Sequence, residues 1–186
     1  MKALIISDKD YRTEEYESVD RLLRAFFVEK GFETEETQIG RGDLAFCMGC
    51  FGCWVKKPGE CVIGDSMAKL NCDEMNSDVV IFLSPVVFGQ FSANIKNAVD
   101  RWLPNMLPFF QTRADGSTMH PPRYADYPRQ IMIGYGDSLS ERDAQLFSDI
   151  TKKHRSNVEV LIWKDNDAEM TEAFEKISLK REGGAL

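Results

Sequence analysis

The chain has 186 residues, 43% of them hydrophobic and 28% charged, with a formal net charge of −7. This is the profile of an ordinary globular protein long enough to bury a full core, and one domain over 1–186 is expected. The acidic balance excludes a partner that requires a basic face, so no nucleic-acid partner is expected.

The N-terminal stretch MKALIISDKD holds a short apolar run followed by charges. It is too short for a signal-peptide core, and the apolar run over 79–88, broken by Ser84 and Pro85, is too short to span a bilayer. A cytoplasmic protein without membrane contact is expected. KALIIS (2–7) reads as a buried strand. From Glu14 to Lys30, Tyr16, Val19, Leu22, Leu23, Phe26 and Phe27 recur at helical spacing, and Gly31 supplies a stop. FETEETQI is a polar strand suited to a sheet edge.

The segment DSMAKLNCDEMN predicts a short helix with Asp65 as N-cap and Cys72 as a buried thiol. SDVVIFLSP (77–85) is the most hydrophobic strand, expected at the centre of a parallel sheet. A helix over 94–107 would align Ile95, Ala98, Val99, Trp102, Leu103 and Met106. RQIMIGYG is a fourth strand, SERDAQLFSDITKKH a helix capped by Ser138 or Ser140, VEVLIW a fifth strand, and DAEMTEAFEKISLK a closing helix. Regular alternation of five strands with helices predicts a doubly wound α/β fold. Two stretches break it, a cysteine loop (45–63) and an irregular segment (108–129).

Ligands of such sheets bind at the carboxyl ends of the strands. Those ends read SDKDYRT, SPVVFGQFS and GYGDS, and none matches G-x-G-x-x-G or G-x-x-x-x-G-K-[ST]. A mononucleotide cofactor suits such loops better than a dinucleotide or a P-loop nucleotide.

FCMGCFGCWVKKPGEC (46–61) holds four of the five cysteines. In a reducing compartment such clusters bind metal or do redox work more often than they form disulfides. C-x2-C-x2-C wraps three corners of a 4Fe-4S cluster, and Cys61 would reach the fourth. Gly49 and Gly52 would free the backbone around Cys47, Cys50 and Cys53, and Lys56 and Lys57 would offset negative charge. Zinc fits this spacing less well, a redox C-x-x-C needs only two thiols, and a loop that folds without metal remains a fourth reading. His120 and His154 stand alone and suggest no catalytic triad.

CMGCFGCWVKKPGECVIGDSM followed by SDVVIFLSPVVFGQFSANIKNAVDRWLP resembles the flavodoxin-like NAD(P)H-dependent FMN reductases, and more narrowly the iron-sulfur flavoproteins. The resemblance implies a flavodoxin-like three-layer sandwich with a five-stranded parallel sheet in the order 2-1-3-4-5. It implies FMN as cofactor, NAD(P)H as reductant, and a small-molecule or protein electron acceptor. Ser84, Pro85, Val86, Val87, Phe88 and Gly89 would wrap the flavin ring, and Tyr135, Gly136 and Asp137 would face it from the fourth strand. The common family pattern has Tyr where Val87 stands, so a stacking ring is either missing or supplied by Phe88. The first loop departs from the family's phosphate loop. Ser7, Lys9, Arg12 and Thr13 could donate to a phosphate at a helix N-terminus. Asp8, Asp10, Glu14 and Glu15 crowd the same end and repel an anion.

No side chain is required as acid or base, so no catalytic residue is assigned. The rival reading is a non-enzymatic metal- or ligand-binding module of the same fold that has lost FMN. Segment 108–129, with Phe109, Phe110, Tyr124 and Tyr127, is expected to pack over a neighbouring subunit in a homodimer or tetramer. The alternative is a lid folded on its own subunit.

Overall fold

The computed structural model describes residues 1–155 and 157–183; residues 156 and 184–186, which the expected 1–186 domain includes, lie outside this description. In chain order the elements are β1 (Lys2–Asp8), α1 (Glu14–Glu29), β2 (Glu33–Ile39), α2 (Gly52–Val55), α3 (Met67–Met75), β3 (Val79–Val87), β4 (Gln90–Phe91) and α4 (Ala93–Asp100). After a 3-10 turn (Leu103–Asn105) come β5 (Gln111–Thr112), β6 (Thr118–Met119), β7 (Asp126–Tyr127), β8 (Arg129–Tyr135), α5 (Glu141–His154), β9 (Val158–Ile162), α6 (Asp167–Glu175) and β10 (Glu182–Gly183).

The central sheet runs β2-β1-β3-β8-β9 with every pairing parallel, which is the expected order 2-1-3-4-5 with β3 in the middle. Alternation along β1 sends Ala3 and Ile5 to the layer of α1 and α6, and Leu4 and Ile6 to the layer of α3, α4 and α5. Both faces are therefore dry at the centre, where Val79 to Leu83 are fully buried. Polar β2 lies at the edge, as its composition requires. Among the described residues no helix is long and apolar enough to cross a membrane.

Several local expectations are corrected. The N-cap of α3 is Ser66, although Asp65 still accepts from Met67 N at 3.1 Å. Cys72 is exposed, because Met67, Leu70, Asn71 and Glu74 form the buried face of α3 and Cys72 lies off that phase. Helix α4 ends at Asp100 and not near Leu107. Pro104 has no N–H and its ring would clash with the Asp100 carbonyl in a continued helix, so Trp102, Leu103 and Met106 leave the stripe. Helix α6 stops at Glu175, short of Lys180. Segment 108–129 is also more ordered than expected: β5 and β6 form a small antiparallel arm, and β7 pairs with β10.

Candidate functional site at the carboxyl ends of the strands

The strand order reverses between β1 and β3, so the crevice for a ligand opens where these strands end. Register places Ser7 opposite Leu83, Ser84 opposite Gly134, and Pro85 opposite Tyr135. The three expected loops therefore meet at one end of the sheet.

Beyond Pro85 the chain turns back as a tight hairpin in which Val86 pairs with Phe91 and Val87 with Gln90. The turn residues Phe88 and Gly89 both have positive φ, 50° and 72°, as a two-residue hairpin of the I′ type demands. A Cβ on Gly89 would stand 2.6 Å from Leu146, so the position excludes other residues on two counts. The turn leaves the Phe88 ring 91% exposed, free to lie against a flat ligand. Ser84 braces the hairpin from beneath: its Oγ donates to Pro85 O at 3.0 Å and accepts from Ser92 N at 3.2 Å. Gly134 lets the end of β8 approach, since a Cβ there would meet Val86 at 2.8 Å. Tyr135 is fully buried and donates to Tyr11 O at 2.9 Å. Burial, followed by the Asp8 charge, pushes its hydroxyl far above the ordinary phenol range. Tyr135 thus ties β8 to the first loop, while Gly136 and Asp137 follow it at the rim.

The four side chains expected to hold a phosphate in the first loop already have partners. Ser7 Oγ donates to Glu36 at 2.6 Å, Lys9 pairs with Asp43 at 2.6 Å, and Arg12 lies 3.2 Å from Glu36 and 3.8 Å from Glu17. Thr13 is the N-cap of α1, accepting from Tyr16 N at 3.4 Å. The hairpin end of the crevice thus offers an exposed ring and a tight turn, whereas the four residues expected to take a phosphate are bound to carboxylates or capping the helix. Burial would raise the Glu36 carboxyl, but donors from Ser7, Gln38 and Tyr16 and the Arg24 charge outweigh it and hold it below the usual carboxylate range.

The cysteine loop packs at the C-terminal end of α4, where Trp54 Nε1 donates to Leu103 O at 3.2 Å and to Met106 O at 3.0 Å. Cys47 and Cys50 are exposed, Cys61 is half-buried and Cys53 is buried. Burial raises the Cys53 thiol, and the charges of Cys61, Cys47 and Cys50 raise it further. Among the described residues no three metal-ligating side chains are gathered as a metal site, so in this conformation the four thiols do not form a cluster cage. Lys57 is paired with Glu60 at 3.1 Å.

Three important residues carried no sequence signal of their own. Arg101, buried at the end of α4, closes the cysteine loop. It donates to Ala45 O at 2.9 Å and Cys61 Sγ at 3.1 Å, and it pairs with both oxygens of Asp65. Asn94 reaches from α4 to Asp8 and Asp10. Glu36 gathers four donors from β1, the first loop and α1. Arg101 and Asn94 lie in the segment 77–104 that carries the family resemblance; nothing in the spacing around Glu36 marks it.

The family described as NADPH-dependent FMN reductase matches residues 1–113. An iron-sulfur flavoprotein of Archaeoglobus fulgidus is 31% identical over 131 residues, covering 65% of this chain and 59% of the relative. An iron-sulfur flavoprotein of Methanosarcina thermophila is 33% identical over 73 residues, covering 39% of this chain and 37% of the relative. The chain thus spans about half the length of these curated relatives, or less. Among solved structures, an NAD(P)H:quinone oxidoreductase from Methanothermobacter marburgensis superposes with a TM-score of 0.66 at 13% identity, covering 94% of each chain. An FMN-dependent NADH-azoreductase from Bacillus anthracis in complex with FMN gives 0.59 at 13% identity, covering 94% of this chain and 98% of that one. These structural likenesses establish the flavodoxin-like fold.

Proposed function

The chain belongs to the NADPH-dependent FMN reductase family, and on that footing we propose that it is a flavin-dependent NAD(P)H oxidoreductase serving a small-molecule or protein electron acceptor in the cytoplasm. The observation that carries this reading is the Ser84–Phe91 hairpin, held at the strand-order reversal with the Phe88 ring exposed. When bound, the flavin supplies hydride acceptance and onward electron transfer. The protein's part is binding and orientation. Val86 to Gly89 would hold the ring through their backbone groups, on a hairpin braced by Ser84 and with the Tyr135–Tyr11 hydrogen bond tying β8 to the first loop. No side chain of the crevice needs to move a proton.

A second reading concerns the cysteines. The spacing of Cys47, Cys50, Cys53 and Cys61 and the names of the curated relatives support a 4Fe-4S cluster. Among the described residues the thiols are not gathered as a metal site, so binding would require the loop to rearrange.

Both readings are tested by purifying the protein without oxygen, reconstituting one portion with flavin and another with flavin, iron and sulfide, and measuring spectra and NAD(P)H oxidation. A flavin band with NAD(P)H oxidation is expected. Stoichiometric iron and sulfide would add the cluster, and their absence after reconstitution would remove it. Colourless protein that ignores NAD(P)H would leave the non-enzymatic module.

A further inference from the structure

The first loop holds its own negative charge where the family's cofactor carries its phosphate. Asp8 is fully buried at the end of β1. Its Oδ1 accepts from Asp10 N at 3.0 Å and Asn94 Nδ2 at 2.9 Å, while its Oδ2 is buried without a hydrogen-bond partner. Asp10 Oδ2 accepts from Arg41 N at 2.7 Å and Asn94 Nδ2 at 3.0 Å. The N–H of Lys9 goes to Ile39 O at 3.0 Å and that of Tyr11 to Asp8 O at 3.4 Å. The N–H groups of Lys9, Asp10 and Tyr11, which lead into the helix, thus already have partners, one of them the Asp8 carboxylate itself. The loop's cations Lys9 and Arg12 are held by Asp43, Glu36 and Glu17. Glu14, Glu15 and Glu17 occupy the first turn of α1, where they complement the helix dipole in place of a bound anion.

We propose that this chain recognises its flavin by the ring and the ribityl chain and not by a phosphate, with Asp8 as the specificity-determining residue, so that the preferred ligand is a phosphate-free flavin of the riboflavin class. The proposal rests on the flavin reading above and narrows it. A phosphate monoester brings a charge of about −1.5 to −2 at neutral pH and only accepts strong hydrogen bonds. A terminal hydroxyl donates as well as accepts, and a donor is what the unpartnered Asp8 Oδ2 lacks. Sites built to hydrogen-bond a hydroxyl discriminate strongly against groups that leave them unpaired.

The test is a fluorescence titration of the intact protein with riboflavin and with FMN, at low and high salt, in wild type and in Asp8→Asn and Asp10→Asn. Wild type should bind riboflavin about tenfold more tightly than FMN at low salt. Added salt should narrow that gap by screening the repulsion. Either substitution should raise FMN affinity severalfold; Asp10 is exposed, so its variant answers the question if Asp8→Asn does not fold. FMN binding as tightly as riboflavin, or more tightly, in wild type would overturn the proposal and leave the flavin reading intact. Binding of neither flavin would overturn both.

Discussion

Glu36 accepts from Ser7, Tyr16, Arg24 and Arg12 at 2.6, 2.8, 2.9 and 3.2 Å, and so pins α1 to the edge strand. Burial, and then the Glu36 hydrogen bond, push the Tyr16 hydroxyl up to about 12, so it stays a donor at all physiological pH values. Glu36→Gln leaves the two arginines without their shared counter-charge and should cost about 1–3 kcal/mol in urea unfolding. Glu74 lies in the opposite layer. It is fully buried, and burial raises its carboxyl to about 7, with Arg155 opposing and Asp73 adding to the shift. Its folded value lies above the ordinary 4.5, so the native state keeps a proton that the unfolded chain has released. Stability is therefore full at the acid end of that window and is lost as pH rises through about 7. Melting of wild type should drop by roughly 5 °C between mildly acidic and mildly alkaline buffer, and Glu74→Gln should flatten the curve. A Glu74→Gln variant whose melting point changes with pH just as wild type's does would show that Glu74 does not carry the loss.

At the scale of elements, the hairpin after β3 makes the sharpest prediction. Gly89→Ala combines positive φ with a contact to Leu146 and should cost about 1–2 kcal/mol. Because the Phe88 turn moves with it, flavin affinity should also drop by an order of magnitude or more, measurable in the same titration. Arg101→Lys keeps the charge but cannot span Ala45, Cys61 and Asp65 at once. Its cysteine loop should loosen, seen as severalfold faster thiol labelling at Cys61 in the metal-free protein; unchanged labelling would remove Arg101 as the clasp. The same elements show what the sequence could reveal. Strands such as 79–83 and the stripe of Tyr16, Val19, Leu23 and Phe27 were legible because burial imposes a period on adjacent residues. The helix after Ser92 was overextended because apolar spacing continues through Pro104 even though the backbone cannot. The hub at Glu36 and the clasp at Arg101 were not legible, since their partners lie 12 to 29 and 36 to 56 residues away. Only the fold brings these partners together.

At the scale of the whole molecule, the cysteine loop and the β5–β6 arm share one aromatic run. Phe51 stacks on Trp54 at 5.4 Å, Trp54 meets His120 at 4.8 Å, and His120 meets Phe110 at 4.7 Å. Trp54 Nε1 also donates to Leu103 O and Met106 O, which anchors the run to the body of the subunit. Segment 108–129 therefore packs on its own subunit, yet Phe109 and Phe110 remain 64% and 74% exposed. We propose that this face is covered by a second copy of the chain. Light scattering should give the mass of a dimer or tetramer, and Phe109→Ser with Phe110→Ser should shift it to a monomer; a wild-type monomer at micromolar concentration would sink the idea. Electron transfer through a bound flavin remains the central claim, and its most direct test is a single-turnover experiment without oxygen. Riboflavin-loaded protein is mixed with excess NADPH or NADH while the visible flavin band is followed. Bleaching of the whole bound population within seconds, and much more slowly in Gly89→Ala loaded to the same occupancy, is the result predicted. A bound flavin whose band persists with both nucleotides would contradict it.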